Sequence, residues 1–562
     1  MTEAADTLLV DARVYSLADV DGTDPDAPEP NPTEALAIRD GEIVHVGREY
    51  EVRFLEGVET NVIDCEGRPV LPGFIDAHTH VENLGQYLVH ADLSAAETLE
   101  GALDALATHA GDASDREWLL GFGYDESEWP ENRYLSASDL DAVSEDRPVV
   151  AMRVDMHTAS LNSVALERLT GSMPDDDVET EGDDPTGVVV EEATEAVWDA
   201  IEPDYAETRD LVIAALEHAN VLGVTSVHDK VRQSHAPRVY RDLEAAGELT
   251  CRVRLDYWSD HLESVLDAGL ATNGGSEFVE MGGIKSFTDG SFGGRTAKLF
   301  EPYADLPGDG GDSRDDGNGG GGGVGNGDSD GDDNGDSNRD DPGAGRGQWV
   351  VDPDELEEIA AKATAEGDYQ LTVHAIGDEA IEETISAFEA TANGGSARHR
   401  VEHVELATDD HLERMAEAGI VASVQPNFLQ WAGEGGLYDQ RLGVERRERT
   451  NRYRSMLEAG VPLAFGSDCM PLDPLLGVHH AVNAPVEAQR LSVTAALRAY
   501  TAGAAYAGFD EGRLGTLEVS KKADITVLEA SPWDRPEQID EIDVAMTLVD
   551  GAVVHDAGLE SS

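Results

Sequence analysis

Lysine is nearly absent. Six of the 562 residues are lysine, so 33 of the 39 basic residues are arginine, and they face 115 aspartates and glutamates. The formal net charge is −76. A chain this anionic repels nucleic acid and anionic membrane surfaces, so neither is an expected partner. Cysteine is equally scarce. Cys65, Cys251 and Cys469 are scattered and make no disulfide framework. No apolar run approaches the roughly 18 residues a membrane helix needs. The start, MTEAADTLLVDARVY, has neither the basic region nor the apolar core of a secretory leader, so a cytoplasmic location is expected.

The missing lysine and the excess of acid belong together. Molar salt shortens electrostatic screening to about 3 Å, which tolerates such self-repulsion, and carboxylates keep a surface hydrated. The composition resembles that of halophilic proteomes. Hydrophobic residues still make up 40% of the chain, and periodic apolar segments run its whole length, so an acidic disordered chain is not expected. Removing salt should therefore melt the protein. An identical melting temperature in low salt and in molar KCl would contradict this reading.

Length admits one large domain with a satellite or three ordinary domains. The two ends read alike. Segments 7–17, 34–47 and 61–73 are strand-rich, with Asp40-Gly41 as a hairpin turn. Segments 512–529 and 543–556 repeat the style, with a second such turn at Asp550-Gly551. A composite β-sandwich from residues 1–70 and 507–562 is expected. Between them, short apolar runs alternate with amphipathic stretches: GVTSVHD (223–229), GGIKSFTDG (282–290), YQLTVHAIGD (369–378), HRVEHVEL (399–406), GIVASVQPN (419–427) and VPLAFGSD (461–468). Repeated βα units predict a parallel sheet. With 74–80 and 147–155 added, about eight strands result, which suits an α/β (β/α)8 TIM barrel over 71–506. The long gap after His80 predicts an inserted subdomain over about 85–220.

The stretch 308–347 is Gly- and Asp-rich, almost without apolar residues, and reads as a disordered surface loop. Asp330, Asp332, Asn334 and Gly335 mimic the opening of a calcium loop. The twelfth position is Asp341 rather than Glu, and no amphipathic helices flank it, so composition explains the match.

In a parallel barrel, chemistry sits where strands end. Those places hold His78, His80, Lys285, His374, His403 and Asp468, a set whose types suit a first-row metal. Singly, each has an ordinary reading: a satisfied core histidine, or a helix cap at Asp468. Lys285 is the odd one, a lysine inside an apolar run.

LPGFIDAHTH, IKSFTDGSFGGRTA, VHAIGD, RVEHVEL and FGSD, in that order, resemble the amidohydrolase superfamily, and within it the amidohydrolase 3 family of YtcJ-like proteins and N-substituted formamide deformylases. The resemblance spans nearly the whole chain and implies two divalent metal ions, usually zinc. His78, His80 and Asp468 would bind one ion and His374 and His403 the other, with Lys285 bridging as its carbamate. It implies a metal-activated hydroxide, with Asp468 as the catalytic proton carrier, cleaving a non-peptide C–N bond of a small-molecule amide. His157 matches a histidine that recurs in the family. His157, His228 and Arg295 are candidates for substrate contact. Tyr124 and Trp129 are candidates for the entrance, and Cys469 for packing. Asp289 is a candidate for lining the pocket or for holding a loop, and Asp76 for orienting a ligand histidine or capping a turn. A cyclic-amide hydrolase and a non-catalytic metal-binding scaffold are the alternatives, and a homodimer is left open.

Overall fold

The computed structural model describes residues 3–18, 20–112, 116–154, 157–182, 184–306, 345–391 and 396–559. The loop expected over 308–347 and its calcium-loop look-alike lie outside these residues, apart from 345–347. No helix among the described residues is long and apolar enough to cross a membrane. The chain forms two compact units. One runs to Val81 and resumes at Leu216; the other is Glu82–Ala215.

The first unit contains eight parallel strands hydrogen-bonded in chain order. They are β1 (Phe74–Thr79), β2 (Val224–Val231), β3 (Arg252–Trp258), β4 (Val279–Phe287), β5 (Gln370–Ala375), β6 (Arg400–His403), β7 (Val421–Val424) and β8 (Leu463–Phe465). Backbone bonds bridge the seam between β8 and β1: Ser467 N and Asp468 N both donate to His78 O, at 3.2 and 2.7 Å. Gly466 makes that seam feasible, because a Cβ there would come within 2.4 Å of His78 N. Helices follow the strands as the apolar spacing predicts. Helix Asp409–Ala418 starts with a Thr408/His411 capping box and ends at Gly419, which takes the left-handed conformation. Such an N-cap is worth about 1 kcal/mol.

The same unit carries two further sheets. Thr7–Val10, Ala35–Arg39, Glu42–Gly47 and Asn61–Asp64 form one. Arg13–Val14, Pro69–Pro72, Ile525–Leu528, Val544–Val549 and Ala552–Asp556 form the other. Leu9, Ile38 and Ile63 from the first pack with Val70, Ile525 and Leu548 from the second, so strands from both ends of the chain share one core. Both Asp-Gly turns have two positive φ angles, 51° and 74° at Asp40-Gly41 and 51° and 77° at Asp550-Gly551, the geometry of a two-residue hairpin.

Two strand assignments change. Residues 147–155 are not a barrel strand. Val149–Arg153 lies inside a six-stranded sheet of the second unit, between Leu119–Tyr124 and Thr158–Leu161. The barrel position goes instead to β3, RVRLDYW. Its Arg252, Arg254 and Asp256 alternate with apolar residues and are all buried. Arg252 pairs with Asp524 and Asp550 of the sandwich, and Asp256 with Lys230 of β2. A strand whose inward face is charged does not read as an apolar run.

Candidate metal centre

β1 carries His78 near its end, with His80 just beyond. Asp468 Oδ1 lies 3.6 Å from His78 Nε2 and 3.3 Å from His80 Nε2. Each of the three offers one donor atom, and these atoms lie within 4.8 Å of one another. Asp468 and Cys469 have φ of 56° and 59°, a left-handed backbone that costs roughly 1–3 kcal/mol per non-glycine residue. The turn is held by Asp76, which accepts from Ser467 N at 2.9 Å, Ser467 Oγ at 2.5 Å and His78 N at 3.1 Å. Burial pushes the Asp76 carboxyl up to about 6, against these donors.

His374 and His403 close β5 and β6. Their rings are 4.4 Å apart, and the His403 ring is 4.9 Å from that of His78. Oxygen acceptors fix each tautomer. His78 Nδ1 is 2.6 Å from Glu402 Oε2, His403 Nδ1 is 2.7 Å from Gln425 Oε1, and His374 Nε2 is 3.0 Å from Gly290 O. Those nitrogens donate, so the lone pairs sit on His78 Nε2, His403 Nε2 and His374 Nδ1. Burial lowers the pKa of all three, that of His403 to about 4. Neutral imidazoles with their second nitrogen anchored are the donors that a divalent ion requires.

Lys285, on β4, has no solvent exposure. Its Nζ has no hydrogen-bond partner among the described residues and lies 4.5 Å from the Phe287 ring centroid. Burial pushes its pKa down to about 7. A buried amine without a partner is costly, so its retention asks for a chemical reason.

Residues 61–555 match the model of the amidohydrolase family. The chain belongs to that family. A putative amidohydrolase, YtcJ of Bacillus subtilis (strain 168), is 28% identical over 557 residues, covering 93% of this chain and 96% of the relative. N-substituted formamide deformylase of Arthrobacter pascens is 26% identical, covering 98% of this chain and 99% of the relative. The crystal structure of an uncharacterized metal-dependent hydrolase from Pyrococcus furiosus aligns with a TM-score of 0.74 at 27% identity, covering 94% of this chain and 99% of that one. These likenesses each span nearly the whole of this amidohydrolase chain.

Several residues of this amidohydrolase site escaped the sequence reading. Arg400 and Glu402 are fully buried, with Arg400 Nε 2.9 Å from Glu402 Oε1. Arg400 also donates to Ser423 Oγ at 2.9 Å. Glu402 and His403 are consecutive, yet both reach His78. The two-residue alternation of a strand forbids that, and the positive φ of 75° at His403 permits it. Gln425 follows β7 and orients His403. The signal available was the charged pair inside RVEHV, a buried run that should have no place for it.

The remaining candidates fall elsewhere. His228 is buried on β2, and its Nδ1 is 2.9 Å from Arg400 Nη1. Arginine only donates, so His228 Nδ1 accepts and Nε2 carries the proton. His228 thus holds Arg400 at the start of β6. Arg295 pairs with Asp305 at 2.9 Å. Asp289 accepts from Ile376 N, Gly377 N and Lys298 N, a support for the loops after β4 and β5. Cys469 Sγ packs 2.9 Å from Thr79 Oγ1. In the second unit, His157 is exposed, and its carbonyl accepts from Thr194 Oγ1. Tyr124 and Trp129, the entrance candidates, are instead buried in that unit's core. Tyr124 OH is 2.9 Å from Ser160 Oγ, and Trp129 Nε1 donates to Ala96 O.

Proposed function

We propose that this amidohydrolase cleaves a non-peptide C–N bond in a small-molecule amide, of the N-formyl or N-acyl class. One observation carries the reading. Three anchored imidazoles with free lone pairs, His80, a carboxylate and an unpartnered buried amine all come from the C-terminal ends of the barrel strands. His78, His80 and Asp468 would hold one divalent ion, and His374 and His403 a second, with zinc suited to both by ligand type. Bound divalent ions supply two effects here, acidification of a water toward neutrality and polarisation of a carbonyl.

The chain supplies the rest. The neutral Lys285 amine adds to carbon dioxide and loses a proton. The resulting carbamate would be an anion offering two oxygen donors to the divalent ions. It would turn a buried amine with no hydrogen-bond partner among the described residues into an anionic ligand. Asp468 takes a proton from the attacking water and delivers it to the leaving nitrogen. Its side chain is 18% exposed, within reach of solvent and substrate. The Glu402 carboxylate and the Gln425 amide oxygen keep His78 and His403 in the tautomers that bind metal. The surface charge supports a salt-rich cytoplasm as the setting.

A screen of N-formyl and N-acyl amines in molar salt, after metal reconstitution, tests the reading. Hydrolysis of at least one class, lost on chelation and regained with zinc, is expected. No turnover of any such amide by metal-loaded protein would contradict it.

A further inference from the structure

The opposite end of β8 has a feature that the hydrolytic site does not use. A cavity of about 390 Å³ lies there, within the first unit. Its floor is apolar: Leu457, Val461, Pro462 and Leu463, with Leu514 and Tyr506 beside them. Leu463 opens β8, and the far end of that strand leads to Asp468. One wall is a turn of π-helix, Ala499–Gly503. That turn presses against the strand, since a Cβ on Gly503 would come within 2.2 Å of Leu463 O. Single π turns recur at functional sites.

Arg498 enters this cavity from the residue before that turn. Its Nη1 donates to Leu17 O. Its Nε is buried with no hydrogen-bond partner among the described residues. Asp21, Asp24 and Glu511 also line the space, but each is engaged. Asp21 Oδ1 accepts from Thr23 N at 2.9 Å and Thr23 Oγ1 at 2.8 Å, and Asp24 Oδ1 from Asp26 N at 2.9 Å. Glu511 takes both arms of Arg398, at 2.6 and 3.0 Å. The other cation, Lys521, is saturated by Glu511 O, Leu514 O and Thr516 Oγ1. Arg498 alone among the charged groups of the cavity keeps a donor to offer. In a chain of net charge −76, this guanidinium has no direct ion pair among the described residues, and Asp21 acts on it only from a distance.

We propose that this cavity is a second ligand site, taking a small organic carboxylate with an apolar body. The carboxylate meets the Arg498 guanidinium where it lines the cavity, a charge-assisted bond. The apolar body lies on Leu457, Val461 and Leu463. A cavity of this size, apolar with few polar groups, is of the kind that binds small molecules. The proposal is independent of the hydrolytic reading.

Calorimetric titration of the metal-loaded protein in molar KCl tests it, with octanoate as probe. One octanoate per chain is expected to bind, with octanol and octylammonium weaker by about tenfold or more. Arg498→Gln should weaken octanoate by about tenfold. Should that variant fail to fold, Ala18→Glu decides, because it sets a carboxylate in the cavity and leaves the guanidinium in place. Octanol binding as tightly as octanoate would overturn the proposal. So would octanoate binding unchanged in the variants, or binding abolished by chelator and indifferent to Ala18→Glu, which belongs to the metal end.

Discussion

Lys285→Ala is expected to lose hydrolysis by roughly a thousandfold or more, about 4 kcal/mol of transition-state stabilisation at 1.4 kcal/mol per tenfold. Loss of activity alone would not separate a ligand from a structural residue, and stability does. The Lys285 amine is fully buried and has no hydrogen-bond partner among the described residues. An amine of that kind destabilises a fold by about 1–3 kcal/mol. Replacing it with an apolar side chain of similar length should therefore leave metal-free protein as stable as before, or more so. Lys285→Met is thus expected to match or exceed the wild-type melting temperature without metal while losing activity. Carbon-13 NMR with labelled bicarbonate should give a carbamate signal in the wild type and none in either variant. Full hydrolysis by Lys285→Ala would remove the bridging role.

Glu402→Gln should damage both fold and site. Glu402 and Arg400 are both without exposure, and Glu402 accepts from His78 Nδ1 at 2.6 Å. Removing one charge of a buried pair costs about 3–5 kcal/mol, because the other charge stays buried and uncompensated. A glutamine can also turn its NH2 toward His78 Nδ1, which then accepts. The proton moves to Nε2, and the metal-binding lone pair is lost. Losing a partner of this kind typically costs ~10–100-fold in metal affinity. A lower melting temperature and weaker zinc binding in competition titrations are expected together. A variant with wild-type zinc affinity would show that Glu402 does not set the His78 tautomer.

The fold and the strand-end residues were legible because each of His78, Lys285, His374, His403 and Asp468 closes or interrupts an otherwise apolar run. Period and strand ends carry that signal without any knowledge of contacts. The two Asp-Gly turns were equally plain, since their backbone demands residues tolerant of positive φ. The polar interior was not legible. Arg400 and Glu402 pair two residues apart on β6, where the charges inside RVEHV are the one local mark, whereas Lys230 and Asp256 pair across β2 and β3 and no local pattern announces that pair. β3 was missed for that reason. Residues 147–155 read as a barrel strand because a buried strand looks the same whichever sheet holds it. Tyr124 and Trp129 read as entrance residues by their place in a long insertion, and only packing reveals them as core.

Metal stoichiometry is the most direct test of the central claim. Protein purified in chelator-free molar salt, reconstituted with zinc and bicarbonate, should hold two ions per chain by mass spectrometry of the metal, and Lys285→Ala should hold fewer. Wild-type protein that binds no metal after reconstitution would contradict the account.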